Sequence, residues 1–145
     1  MKARVKLVEG ITFVAESGSG HAVVMDASPE VGGRDLGARP MEMVLMGAGG
    51  CSAIDVVHIL RKARQDFVDC VVELEAERAP EDPKVFTRIH MHYIVTGRGL
   101  NPAQVERAIK LSKEKYCSAT IMLSKTAEVT TSYEISEVDD SSTRG

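Results

Sequence analysis

A chain of 145 residues with 18 Lys and Arg against 21 Asp and Glu carries a formal net charge of -3, so it lacks the basic excess of a nucleic-acid-binding protein. With 43% hydrophobic and 27% charged residues, its composition is that of a soluble globular protein, not a disordered or fibrous one, and its length suits one domain burying roughly two-thirds of its unfolded surface. Aromatic residues are only 4% and tryptophan is absent, so the core has to rest on Val, Ile, Leu, Met and Ala, a thin core that burial between subunits would support.

The N-terminal stretch MKARVKLVEG has positive charges with no apolar run behind them, which is not the pattern of a signal peptide. No segment is expected to reach the length needed to cross a membrane. Three cysteines, an odd count without a secretory signal, point to reduced thiols and a cytoplasmic protein.

Residues 2–7, KARVKL, alternate polar and apolar as a half-buried strand does. ITFVAE (11–16) and HAVVMD (21–26) follow, separated by the turn-rich Ser17-Gly18-Ser19-Gly20, and the three segments predict a meander. Residues 27–40, with three glycines and two prolines, read as a loop ending where Pro40 takes the first turn of a helix. From Met41 to Arg64 no proline intervenes, residues 43–60 are apolar on nearly every side, and Arg61, Lys62 and Arg64 suit a helix C-terminus. This helix is expected to be buried all round, between two sheets or between two subunits. Gly47, Gly49 and Gly50 each cost about 1 kcal/mol relative to alanine in a helix interior. They either break the segment near Cys51 or let another backbone or a substrate approach closely.

Two strands come next, at 69–78 and 85–97, flanking Pro80-Glu81-Asp82-Pro83. In the second, Ile89, Met91, Tyr93 and Val95 share one face, and Arg88, His90 and His92 the other. Asn101-Pro102 opens a helix with an N-cap residue and proline at the first position, and Val105, Ala108, Ile109 and Ser112 fall on one face. Cys117 heads the apolar run 117–123, and residues 127–135 alternate as a last strand. The order describes an α+β domain over 1–136, with a polar tail at 137–145.

Of the cysteines, Cys70 alternates within a strand and reads as a sheet residue. Cys51, within MGAGGCSAID, and Cys117 each head a helical segment, where unpaired N–H groups favour a thiolate, so a redox pair is open between them. A Cys51-Asp55-His58 hydrolase triad fails on reach. Seven residues at 1.5 Å rise put His58 roughly 10 Å along the helix axis from Cys51, against the roughly 3 Å a general base needs. His90 and His92 have no accompanying CxxC or HxxxH spacing and read as solvated rather than zinc-binding, and GSGHAV and GAGG lack the surroundings of a nucleotide motif. No metal and no cofactor is expected.

Over RPMEMVLMGAGGCSAIDVVHIL and KYCSATIMLSKTAEV the chain resembles the OsmC/Ohr family of thiol peroxidases, and within it is most similar to the YhfA-type branch. The resemblance implies an OsmC-like fold, with β-sheets around a buried central helix in an intertwined homodimer whose active sites lie at the subunit interface. It also implies reduction of small organic hydroperoxides, with Cys51 as the peroxidatic cysteine, Cys117 as the resolving one and an external dithiol as reductant. The family's active-site glutamate falls at Met41 here, with Glu42 one residue later, so Glu42 would serve only if the glycines break the helix. The family's arginine has Arg4, Arg34 and Arg39 as candidates, Arg39 being favoured because it adjoins the helix start. The alternative is an OsmC-like binding or sensing module that holds an apolar or electrophilic ligand without efficient turnover.

Overall fold

The computed structural model describes residues 1–138, so the expected polar tail beyond Val138 lies outside the described residues. The chain forms two compact units, the first spanning Met1–Met46 and the second beginning at Gly47.

In the first unit the predicted meander is present. β1 (Ala3–Glu9), β2 (Thr12–Ser17) and β3 (Ala22–Met25) form an antiparallel sheet in that order. The β1–β2 turn uses Gly10 at φ 58°, a conformation glycine adopts without steric cost. All seven residues of β1 are exposed, Val5 and Leu7 included. The loop after β3 is pinned by the buried Asp26, whose carboxylate accepts from the Thr12 hydroxyl at 2.9 Å and the Ala27 and Leu36 N–H groups at 2.7 and 3.2 Å. Burial works to raise this carboxyl, but the hydrogen bonds outweigh it and hold the group below its ordinary value.

The central helix, α1 (Pro40–Lys62), runs unbroken through all three glycines. Pro40 stands in its first turn as predicted, and Arg61 and Lys62 close it. The glycine that matters for packing is Gly49, where a Cβ would press to 2.7 Å from Leu74 Cδ1, whereas at Gly47 and Gly50 it would meet nothing within 4 Å. Close approach, rather than a break, is therefore the structural use of Gly49.

One expectation about this segment needs correction. Its 23 residues and mean hydropathy of 1.7 over 18 residues make it long and apolar enough to cross a membrane, which the sequence reading had denied. In the single chain it is not buried all round. The buried positions Ala48, Gly49, Ser52, Val56 and Leu60 form one stripe, while Ile54 is 72% exposed. The buried polar Ser52, hydrogen-bonded across that stripe, marks α1 as a core helix.

The second unit is built on β4 (Asp66–Arg78), β5 (Phe86–Arg98) and β6 (Glu128–Glu137), ordered β4-β5-β6. β4 and β5 pair antiparallel across the proline-rich turn, and β6 returns parallel to β5. A parallel return needs a long crossover. Here it is α2 (Pro102–Leu111), a π-helical turn at Ser112–Tyr116, and α3 (Ser118–Leu123). Asn101 caps α2 as predicted, its side chain accepting from the Ala103 N–H at 2.9 Å, and Val105, Ala108 and Ile109 are buried. The predicted inner face of β5 is the centre of the core: Ile89, Met91, Tyr93 and Val95 are all at most 2% exposed.

Candidate functional site

α1 passes the start of α3 at the level of Ala48, whose carbonyl lies 3.9 Å from Cys117 Sγ. Cys51 and Asp55, four residues apart, share one face of α1. The sulfurs of Cys51 and Cys117 and a carboxylate oxygen of Asp55 lie within 4.8 Å of one another. Sixty-six positions separate the cysteines in sequence (117 less 51), and the fold brings them together.

Cys117 is the N-cap of α3, directly after the π-helical turn, and is fully buried. A single wide turn of this kind commonly marks a functional position. Here the Cys117 N–H donates to the Ser112 carbonyl at 2.8 Å. Its sulfur accepts from the Thr120 N–H at 3.4 Å and lies 2.9 Å from the Thr120 hydroxyl. Burial pushes the Cys117 thiol above its ordinary value of 9.0; the Thr120 contacts oppose this and the neighbouring Cys51 adds to it. Cys117 is therefore a protonated thiol near neutrality.

Behind the thiols runs a chain of hydroxyls. Tyr93 Oη is hydrogen-bonded to Ser52 Oγ, Ser52 Oγ to Ser112 Oγ at 2.8 Å, and Ser112 Oγ donates to Asp55 Oδ2 at 3.1 Å. Tyr93, Ser52 and Ser112 are fully buried. Burial first, offset only in part by Ser52, pushes the Tyr93 phenol up to about 12, so it remains a neutral donor. The chain orients the Asp55 carboxylate beside the two sulfurs. Sequence reasoning missed this relay. Its signal was a serine and an aspartate at the first and fourth positions after Cys51, facing Ser112 at the C-cap of α2.

Beside Asp55 opens a pocket of about 680 Å³. Ile54, Ile59, Leu111 and Tyr116 give it an apolar wall, and Lys62 and Arg107 a cationic rim.

The remaining candidates lie elsewhere. Glu42 closes the start of α1, its carboxylate accepting the Arg39 N–H at 2.9 Å and pairing with the Arg39 guanidinium at 3.8 Å. Because α1 is unbroken, nine residues at 100° each turn Glu42 to the opposite side of the helix from Cys51. The chain's own Glu42 is therefore not brought to that thiol. Arg4 pairs with Glu16 at 3.8 Å and Arg34 with Glu9 at 3.1 Å, so each of the three arginine candidates is matched to a local carboxylate. Cys70 stands in β4 opposite Val95, half-buried, its thiol raised by burial and then by Asp69. His90 and His92 are not simply solvated. Both are half-buried and bond across to β6, His90 to Thr130 at 2.6 Å and Ser132 at 2.8 Å, and His92 to Ser132 at 2.7 Å.

The profile of the OsmC-like protein family matches residues 32–132, a stretch containing both Cys51 and Cys117. The chain belongs to the OsmC-like protein family. It is 58% identical over 135 residues to protein YhfA of Escherichia coli K12, covering 93% of this chain and 98% of that one. A solved structure of a hypothetical protein from Aquifex aeolicus superposes with a TM-score of 0.83 at 30% identity, over 95% of this chain and 97% of that one. An organic hydroperoxide resistance protein OsmC from Legionella pneumophila shares the fold at a TM-score of 0.67 and 17% identity, over 92% of this chain and 97% of that one. The OsmC-like fold of this chain is thus a mixed α+β arrangement of two sheets and a central helix.

Proposed function

We propose that this OsmC-like protein is a thiol-dependent peroxidase that reduces organic hydroperoxides through Cys51 and Cys117. The observation that carries the reading is the meeting of the two sulfurs with the Asp55 carboxylate, all within 4.8 Å. A disulfide needs its sulfurs about 2.05 Å apart, so in this reading the half-buried Cys51 side chain turns towards Cys117 before the bond forms. The name of the Legionella neighbour, organic hydroperoxide resistance protein, supports the same chemistry.

In this mechanism the Cys51 thiolate attacks the terminal oxygen of the hydroperoxide. The O–O bond breaks, the alkoxide leaves and takes up a proton as an alcohol, and Cys51 is left as a sulfenic acid. Cys117 then gives its proton to Asp55 and attacks the Cys51 sulfur. The S–O bond breaks, hydroxide leaves as water with the proton Asp55 carries, and a Cys51-Cys117 disulfide forms. An external dithiol restores both thiols by exchange. The hydroxyl chain from Tyr93 holds Asp55 in position.

The working unit in this reading is a homodimer. Val5, Leu7, Val8, Val23 and Val24 on the first sheet and Ile54 on α1 are exposed apolar side chains that a second copy would cover.

One equivalent of cumene hydroperoxide added to the reduced protein, followed by alkylation and peptide mapping, tests the reading. The expected product is a single Cys51-Cys117 disulfide with Cys70 alkylated. Recovery of both site cysteines as free thiols would leave the binding or sensing alternative.

A further inference from the structure

The three groups that meet at the thiol site are also a ligand set for a soft metal ion. Around a tetrahedral zinc, with Zn–S of about 2.3 Å and Zn–O of about 2.1 Å, ligand atoms stand roughly 3.5–3.8 Å apart. The Cys51 and Cys117 sulfurs and the Asp55 oxygen lie within 4.8 Å of one another without an ion between them. Small side-chain rotations separate the two geometries.

Two of the three ligands also have the outer partners that metal ligands characteristically have. Asp55 Oδ2 accepts from Ser112 Oγ at 3.1 Å. Cys117 Sγ accepts from the Thr120 N–H at 3.4 Å and lies 2.9 Å from the Thr120 hydroxyl, contacts that stabilise a thiolate. Two thiolates select soft or borderline ions of the zinc type over magnesium and calcium. Of the three ligands, Asp55 also lines the pocket beside the site.

We propose that the reduced protein binds one thiophilic divalent cation through Cys51, Cys117 and Asp55, and that the bound cation holds the thiols in a state that does not react with peroxide. Binding is not a redox step. Two S–H bonds break, two S–metal bonds form, and two protons leave for each cation taken up. A Cys51-Cys117 disulfide has no thiolate to offer, so oxidation and metal uptake exclude one another. The same three groups serve the peroxidase reading, but metal uptake does not depend on it.

The test is anaerobic titration of reduced, desalted protein with Co²⁺, followed by displacement with Zn²⁺. The expected result is one Co²⁺ per chain with thiolate charge-transfer and tetrahedral d–d bands, about two protons released per ion in a weakly buffered solution, and loss of the bands when Zn²⁺ is added. The bands should vanish in Cys51→Ser and after oxidation with diamide, persist in Cys70→Ser, and require at least about 10-fold more Co²⁺ in Asp55→Asn. Bands that survive Cys51→Ser in a variant with unchanged circular dichroism, or no bands in the wild type, would overturn the proposal. Because uptake is read without peroxide, its failure leaves the peroxidase reading standing. A protein that takes up Co²⁺ yet never forms the disulfide overturns the peroxidase reading alone.

Discussion

Replacing Cys51 with serine is expected to lower the rate of organic hydroperoxide reduction by at least about 100-fold, because it removes the nucleophile itself. Replacing Cys117 has a different signature. In Cys117→Ser the first oxidation of Cys51 should proceed, but the sulfenic acid has no internal partner and should be trapped by dimedone in stoichiometric amount. The buried Cys117 thiol also sets a pH dependence. Its value is raised above 9.0, chiefly by burial, so the fraction present as thiolate grows as pH rises through and beyond the neutral range. Disulfide closure in the wild type should therefore accelerate from pH 7 to pH 9, read as the decay of the trappable sulfenic acid. The same raised value has a stability consequence of defined sign. The folded chain keeps its Cys117 proton at pH values where the unfolded chain has lost it, so this group's contribution is complete below pH 9 and falls as pH rises above it.

The largest expected loss of stability comes from Leu60→Ala. Leu60 is 0% exposed and continues the buried stripe of α1 after Ser52 and Val56. Truncating a leucine in such a place costs about 2–5 kcal/mol, the sum of lost transfer energy and the cavity left behind. Urea unfolding followed by circular dichroism should show the midpoint falling with an unchanged slope. Truncating the 72% exposed Ile54 in the isolated chain has no such cavity to leave.

Much of the fold was legible because its signals are local. Alternation placed all six strands to within a few residues, and the inner face of β5 was read correctly down to Tyr93. Asn101-Pro102 fixed the start of α2 through cap chemistry alone. What escaped was set by tertiary contact. The glycine cost at 47, 49 and 50 invites a helix break, yet propensity is a weak prior, and packing of Gly49 against Leu74 keeps α1 continuous. The π-helical turn before Cys117 has no sequence marker, since SKEKY would serve equally in an α-helix.

The site was legible only in part for a related reason. Cys117 caps α3 as expected, but Cys51 lies inside the unbroken α1 and not at a helix start, so it has no free N–H groups of a helix end before it, and the meeting of the two thiols depends on α1 and α3 packing in the same unit. Ser52, Ser112 and Tyr93 look like ordinary core positions until their hydroxyls are seen to link one to the next and end on Asp55. His90 and His92 were read as solvated because alternation gives only their face. The pairing of β5 with β6 supplies Thr130 and Ser132 as their partners.

The peroxidatic role of Cys51 is open to stopped-flow measurement of the reduced protein reacting with excess cumene hydroperoxide, with the loss of the Cys51 thiol followed over time. Oxidation far faster than that of free cysteine under the same conditions is expected, ending in the Cys51-Cys117 disulfide and absent in Cys51→Ser. A rate no faster than free cysteine, and unchanged by Cys51→Ser, would contradict that role.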